Sequence, residues 1–522
     1  MNRREFFRIV GAGTAAAAAA GCGKTTEKLL PYVIPPENLV PGVASWFSTV
    51  CRECPAGCGV IARNREGRIV KLEGNPDHPV NQGTLCIRGQ AGLQGLYNPD
   101  RIRGPLLRDA SGNFKPIKWE EAEKLVADRL GALVNKRQGN RIALVSQLEG
   151  GGLGQLMDDW LKALGARPRL AYEPFAYESI RAASRITFGR DAIPHYAIEE
   201  ARVLLSFGAD FLETWLSPVA YTRAYTQMHA FKHGKAGTFI QIEPRLSLTA
   251  SNADEWVRNA PGTEALLGLA LLRVILDERL QAPGVDALAL KSLVADVDLG
   301  AVAKESGVTV ETITRLARAF GRAKPSLAIG GGVEVGGEDA TQLQVVIHLL
   351  NYAVGNVGKT IRFGPDSVFG KASPYREMLA LTQAMAGGEV ELLFLHRVNP
   401  VFTLPEKTGF AAGLKKVPFV VSISDAMDET TSQAHLVLPD LHPLESWGDY
   451  SPQEGVHGLI QPTMAPVPTF DAKAIGDVLL SVGKAVLGAG DEKGPLRWER
   501  FQDYVKERWR ELAKELAPGK RF

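Results

Sequence analysis

Two short stretches, CRECPAGC at residues 51–58 and LCIRG at residues 85–89, decide how this chain is read. The protein has five cysteines in 522 residues; four of them stand at positions 51, 54, 58 and 86, and none follows. The spacing is CxxCxxxC, then 27 residues, then the last thiol. Three thiolates in one tight loop can bend around a compact inorganic core while a distant fourth closes the cage, which is how a four-iron cluster is held. Pro55, Gly57 and Gly59 let the backbone turn sharply and approach sulfide without a Cβ in the way. Two other uses of thiols compete. Structural zinc commonly pairs one CxxC with a second CxxC or with histidines, and only one such pair is present. Two disulfides suit an exported chain, but three cysteines this close pair awkwardly. The preferred expectation is one 4Fe-4S cluster on Cys51, Cys54, Cys58 and Cys86.

Working outward, the N-terminus MNRREFFRIVGAGTAAAAAAGC (1–22) sets Arg3 and Arg4 ahead of Phe6, Phe7, Ile9 and Val10 and then a run of small residues. That is the form of a twin-arginine export signal. A spanning helix needs about 20 strongly apolar residues, whereas 11–21 are nearly all Ala and Gly. This route exports proteins already folded, so it suits a chain that receives its cofactor in the reducing cytoplasm. It places the mature protein in the periplasm or at the outer face of the cytoplasmic membrane. Ala19-Ala20-Gly21-Cys22 also has the form of a lipoprotein cleavage box. Cys22 is then either an acylated N-terminus or an incidental cysteine in a signal cut elsewhere, and one acyl chain holds a membrane only marginally without a partner.

Composition is that of a soluble protein, with 45% apolar and 23% charged residues and a formal charge of +2. It lacks the basic excess that nucleic-acid binding calls for. The length calls for several domains. Residues 23–43 carry four prolines and read as an extended linker, and 44–105 hold short strands such as GVIARN and RIVKLEG around the cysteines. Beyond Lys118, helical and strand patterns alternate: WEEAEKLVADRLGALVNK, RIALVSQ, ARVLLSFGAD, GTFIQIEP, then the long PGTEALLGLALLRVILDE. A second alternating block begins at Pro325 with SLAIGGGVEVGG and continues through VELLFLHRVNP and KVPFVVSISD. Such alternation predicts an α/β fold with parallel sheets covered on both faces. The division expected is 44–105 for the cysteine domain, 106–150 with 325–480 for a discontinuous first α/β domain, 151–324 for the second, and 481–522 for a C-terminal helical tail.

The segment from Cys51 to Ile102 resembles the N-terminal iron–sulfur domain of the molybdopterin oxidoreductases, the dimethyl sulfoxide reductase superfamily. The likeness rests on the cysteine spacing, the loop EGNPDHPVN (73–81) and the CxRG ending. It implies a fold with a small N-terminal iron–sulfur domain and two Rossmann-like parallel-sheet domains. It also implies that Arg88, two residues after the last cysteine, assists electron transfer between cluster and pterin. Weaker likenesses follow in the family's order. LLSFGADFLET would place Gly208, Asp210 and Glu213 against a pterin nucleotide, with Asp210 where the family usually has Asn. QIEPRLSLTASNADEWVRNAPGTE would bring Glu243, Arg245, Gly262, Thr263 and Glu264 to guanine and phosphates, with both glutamates replacing aspartate. LHRVNP and MDETTSQAHLVLPDLHPLESWGDYSPQEG would add Asn399, Pro400, Glu429 and Thr430, although the following VHG lacks the arginine often found there.

Two departures qualify the resemblance. The residue that ligates molybdenum or tungsten in active members should lie near YEPFAYESIRAAS, where the aligned position is nearest Phe175; Glu173, Glu178 and Ser179 are the nearby candidates, with helix capping as their ordinary use. The further C-terminal domain that closes over the pterins in active members is expected to be absent. In this respect the chain is similar to the molybdopterin-like part of alternative complex III and of polysulfide-reductase-type complexes. That likeness implies a ferredoxin-like iron–sulfur subunit and a polytopic quinone-binding membrane subunit as partners. Three functions stand: an oxidoreductase subunit whose cluster relays electrons in a respiratory complex, a catalytic enzyme carrying molybdopterin guanine dinucleotide with Mo or W and acting on a small oxyanion or sulfur compound, and a structural module with zinc.

Overall fold

The cysteines hang from a three-stranded antiparallel sheet, Ala44–Val50, Gly59–Arg65 and Arg68–Gly74, in that order. Val50 is paired with Gly59, so the ends of the first hairpin are pinned where the thiol loop leaves and returns. The next turn is tight: Glu66 and Gly67 both take positive φ, and Asn64 Oδ1 accepts the Gly67 N–H at 2.9 Å. The helix Ile87–Leu96 follows Cys86 and buries Gly89, Gly92 and Leu96. This is a computed structural model, and it describes residues 40, 42–231, 236–488, 494 and 496–516. The segment expected to be an export signal, Cys22 and nearly all of the proline-rich linker lie outside the described residues.

Two larger sheets carry the rest. The first has the order Phe114–Pro116, Leu106–Arg108, Leu436–Leu438, Phe419–Ile423, Leu392–His396, Ile142–Gln147, Leu170–Tyr172. Its five later strands run parallel and the two at one edge antiparallel. Alternation along the strands explains why both faces are covered: Leu392 and Phe394 enter one core with Leu144 and Val421, while Leu393 and Leu395 enter the opposite core with Val145 and Val420. The second sheet, Glu255–Val257, Thr238–Ile242, Val203–Phe207, Ser326–Gly330, is all parallel. Leu205 and Phe207 face one core, Leu204 and Phe239 the other. The α/β fold with an N-terminal iron–sulfur region ahead of parallel sheets is therefore as expected.

Sheet membership differs from the expected boundaries in two places. Ser326–Gly330, assigned to the first α/β domain, pairs with Val203–Phe207 in the second sheet. Leu170–Tyr172, assigned to the second, pairs with Ile142–Gln147 in the first. In each case the strand completes the sheet before the chain crosses over, and pairing at such separations leaves no local signal. The helices Ile475–Leu487 and Phe501–Leu516 dock on the first sheet: Val478, Leu479, Phe501, Tyr504 and Val505 fill its core beside Trp160. Among the described residues no helix is long and apolar enough to cross a membrane.

Candidate functional site

The thiol loop is closed by a hydrogen bond from the Cys51 N–H to the Cys58 carbonyl, 2.8 Å. Gly57 takes φ +58°, and a Cβ there would stand 2.6 Å from the Tyr450 ring, so both the turn and the close approach require glycine. Asn81 ties in the loop that brings Cys86: its Oδ1 accepts the Gly59 N–H at 2.8 Å, and its amide donates to the Gly59 carbonyl at 2.9 Å and the Thr84 carbonyl at 2.6 Å. All four cysteines pack in one cluster with Ala56, Val80, Leu85 and Val219.

None of these four thiols is bonded to another in this structure. Burial pushes the Cys51 thiol up to about 12, and Cys58 is raised by burial and then by the neighbouring Cys51, Cys54 and Cys86. Such a group holds four thiolates only if a cationic core neutralises them, as iron does. Structural zinc commonly pairs one CxxC with a second or with histidines, whereas this cluster has a single CxxC and no histidine. Four thiols, three in one tight loop and one distant, form a donor set that fits a four-iron cluster.

A cavity of about 300 Å³ opens beside the cage, walled by Arg52, Cys54, Arg88, Glu173, Phe175 and Asn399 among others. The structure thus brings Arg88 together with the position expected for a metal ligand. Phe175 is 53% exposed. Glu173 Oε1 accepts the Phe175 N–H at 3.1 Å, and burial raises its carboxyl. Glu178 opens the helix Glu178–Phe188 and accepts the Tyr375 N–H at 2.6 Å, and with Ser179 it lines a neighbouring cavity of about 410 Å³.

The residues matched to nucleotide contacts fall into three places. Gly208, at φ +66°, follows a strand end and leads to Asp210, whose carboxylate accepts from Thr249 Oγ1 at 2.5 Å and Thr214 Oγ1 at 3.0 Å. Glu213 lies beside it: burial and then the Asp210 charge raise its carboxyl, against the pull of Arg245. Glu243 is fully buried, with one oxygen accepting from Gln241 Nε2 at 2.7 Å and the other from the Ser247 N–H at 2.8 Å. Gly262, Thr263 and Glu264 form the start of the helix Glu264–Asp277; Glu264 is buried and accepts from Asn259 Nδ2 at 2.9 Å. Asn399 joins the third group, donating to Glu429 Oε2 at 2.6 Å and accepting from Thr430 Oγ1 at 2.7 Å, with Pro400 starting the short helix Pro400–Thr403. Asp210, Glu243 and Glu264 are therefore engaged within the fold, and Glu243 has no exposed surface to offer a ligand.

Residues that sequence reasoning passed over complete the site. Arg52, Glu149, Tyr450, Arg397 and Asp440 form a buried charged seam between the cage and the first sheet. Arg397 Nε donates to Asp440 Oδ2 at 2.6 Å and its Nη2 to the Leu441 carbonyl at 2.7 Å. Burial opposes both charges, yet Asp440 and Asp425 hold Arg397 above its usual range, while Arg397 and His396 bring Asp440 down to about 2. The one signal within reach was Arg397's place in LHRVNP.

A family model described as molybdopterin oxidoreductase matches residues 101–484, and one described as molybdopterin oxidoreductase Fe4S4 domain matches residues 44–98. The chain is 30% identical over 504 residues to the menaquinone reductase, molybdopterin-binding-like subunit, of Nitratidesulfovibrio vulgaris, covering 92% of this chain and 72% of the relative. It is 23% identical to the molybdopterin-containing subunit of the arsenate respiratory reductase of Shewanella sp., covering 86% of this chain and 62% of that one, less than two thirds of its length. Acetylene hydratase from Pelobacter acetylenicus shares the fold, with a TM-score of 0.71 at 20% identity, over 87% of this chain and 73% of that structure.

Proposed function

Since this chain belongs to the molybdopterin oxidoreductase family and carries its Fe4S4 domain, we propose that it is the iron–sulfur subunit of a respiratory complex, relaying electrons at the outer face of the cytoplasmic membrane. The observation that carries the reading is the contrast between its two halves. The four thiols pack together and open through Cys54 and Arg88 onto a cavity, while three of the five acids matched to nucleotide contacts, Asp210, Glu243 and Glu264, are spent on internal hydrogen bonds. A bound cluster would supply one-electron transfer. Cys51, Cys54, Cys58 and Cys86 would hold it, Asn81 keeps the two cysteine loops in register, and Arg88 carries positive charge to the side from which an electron crosses the cavity.

Arg3 and Arg4 support export, and the likeness to a menaquinone reductase subunit supports a place in a membrane complex, in which the partners proposed are a ferredoxin-like subunit and a polytopic quinone-binding subunit. A second reading, a catalytic Mo- or W-pterin subunit reducing a small oxyanion or sulfur compound, draws on the cavity itself, which has room between Arg88 and Phe175.

Purification of the tagged full chain from detergent-solubilised membranes separates the two. The relay predicts co-purified iron–sulfur and polytopic subunits and a cluster reduced by quinol, with no turnover of nitrate or arsenate by viologen-reduced protein. A chain isolated alone that turns over such an oxyanion would establish the catalytic reading instead.

A further inference from the structure

Arg88 is exposed, so its field reaches the cage through solvent and is weakened by salt. A second arginine is placed differently. Arg52, the residue after the first cysteine, has a side chain only 8% exposed, and its partner Glu149 only 5%. Its Nη2 donates to Glu149 Oε2 at 2.8 Å, and its guanidinium lies over the Tyr450 ring, 3.7 Å from the centroid. Tyr450 in turn donates its hydroxyl to the Pro55 carbonyl at 3.0 Å, inside the thiol loop. Glu149 accepts a second bond from Gln147 Nε2 at 2.7 Å, and its charge also acts on Arg397. An ion pair is thus locked beside the cage, with Arg52 next in the chain to Cys51 and sharing a cavity wall with Cys54 that Glu149 does not reach, where burial keeps the dielectric low and the interaction strong.

The geometry points to Arg52 and Glu149 as the pair that sets the reduction potential of the cluster, Arg52 stabilising the reduced form and Glu149 limiting how far. This rests on the cluster assigned to the four cysteines and is independent of whether the chain relays or catalyses. Reduction adds one electron and no proton to the cage, so its negative charge rises by one. A buried cation beside it favours the reduced state, and a buried anion opposes it.

The test is a mediated potentiometric titration of the full-length protein followed by the spectrum of the reduced cluster, with iron per chain measured on each sample. Glu149→Gln leaves Arg52 unneutralised and should favour the reduced form at least tenfold, an upward shift of 59 mV or more for a one-electron couple. Arg52→Gln should shift the potential downward by a comparable factor. Arg52→Gln with Glu149→Gln should return to within tenfold of the parent. The shifts should persist at high salt, whereas that of Arg88→Gln should shrink. Shifts of the same sign in both single variants, or none in Glu149→Gln at full iron content, would overturn the proposal. If Arg52→Gln does not retain iron, Glu149→Gln decides alone; if both lose it, the pair is a structural clamp and the proposal falls. Absence of iron from the parent would refute the cluster assignment instead, and is read separately.

Discussion

His348 makes the fold acid-sensitive in a way that can be worked out from its surroundings. Its ring is buried at 1% exposure between Phe188, at 4.9 Å, and Thr187, whose Oγ1 lies 2.8 Å from Nδ1, while Nε2 has no partner. A proton on Nε2 would put a charge where nothing accepts it, and burial lowers the group from 6.5 to about 4. The unfolded chain therefore binds a proton near pH 6.5 that the folded chain refuses until near pH 4. Stability is fully present above about 6.5, falls with pH across that window, and levels off below 4. One pK unit is worth about 1.4 kcal/mol, so the loss is about 3 kcal/mol in total and about 2 kcal/mol already at pH 5. His348→Leu removes the proton site and keeps the apolar contacts. Urea midpoints at pH 7.5 and pH 5 should show the variant losing about 2 kcal/mol less than the parent between the two. Equal losses in both would refute the reasoning.

Other outcomes follow from the site. Arg397→Met strips Asp440 of its main counterion inside the protein and should cost about 3–5 kcal/mol in thermal or urea unfolding; adding Asp440→Asn, which keeps an acceptor for the Ile475 N–H, should recover part of it. Gly57→Ala forces a left-handed residue and a clash with Tyr450, so iron per chain after gel filtration should fall well below the parent. Cys58→Ala should abolish the cluster's visible absorbance while leaving the far-ultraviolet circular dichroism of the two large sheets intact, because their cores share no residue with the cage.

What the sequence discloses here depends on the range of the interaction. The cage was legible because three of its thiols are fixed by spacing within a single loop, and the fourth is flagged by the CIRG that follows. The parallel sheets were legible because strands such as Leu392–His396 bury both faces and read as unbroken apolar runs. Arg52, Glu149 and Tyr450 were not, since the first pair is 97 residues apart and Tyr450 reaches Pro55 across 395. Each alone is an ordinary polar residue. The same holds for Ser326–Gly330, whose run of small and apolar residues fits either sheet and is settled by its register with Val203–Phe207. Glu243 and Glu264 were legible as departures from aspartate, but not their capture by Gln241, Ser247 and Asn259, which depends on where an extra methylene lets the carboxylate reach.

At the centre stands an iron–sulfur cage in a chain that buries Asp210, Glu243 and Glu264, three of the acids matched to nucleotide contacts. Elemental analysis of the purified, cytoplasmically matured protein, with pterin extraction from the same sample, tests it most directly. About four iron per chain are expected, with molybdenum, tungsten and pterin all far below one. Stoichiometric pterin with either metal would contradict the relay, and zinc without iron would contradict the cluster itself.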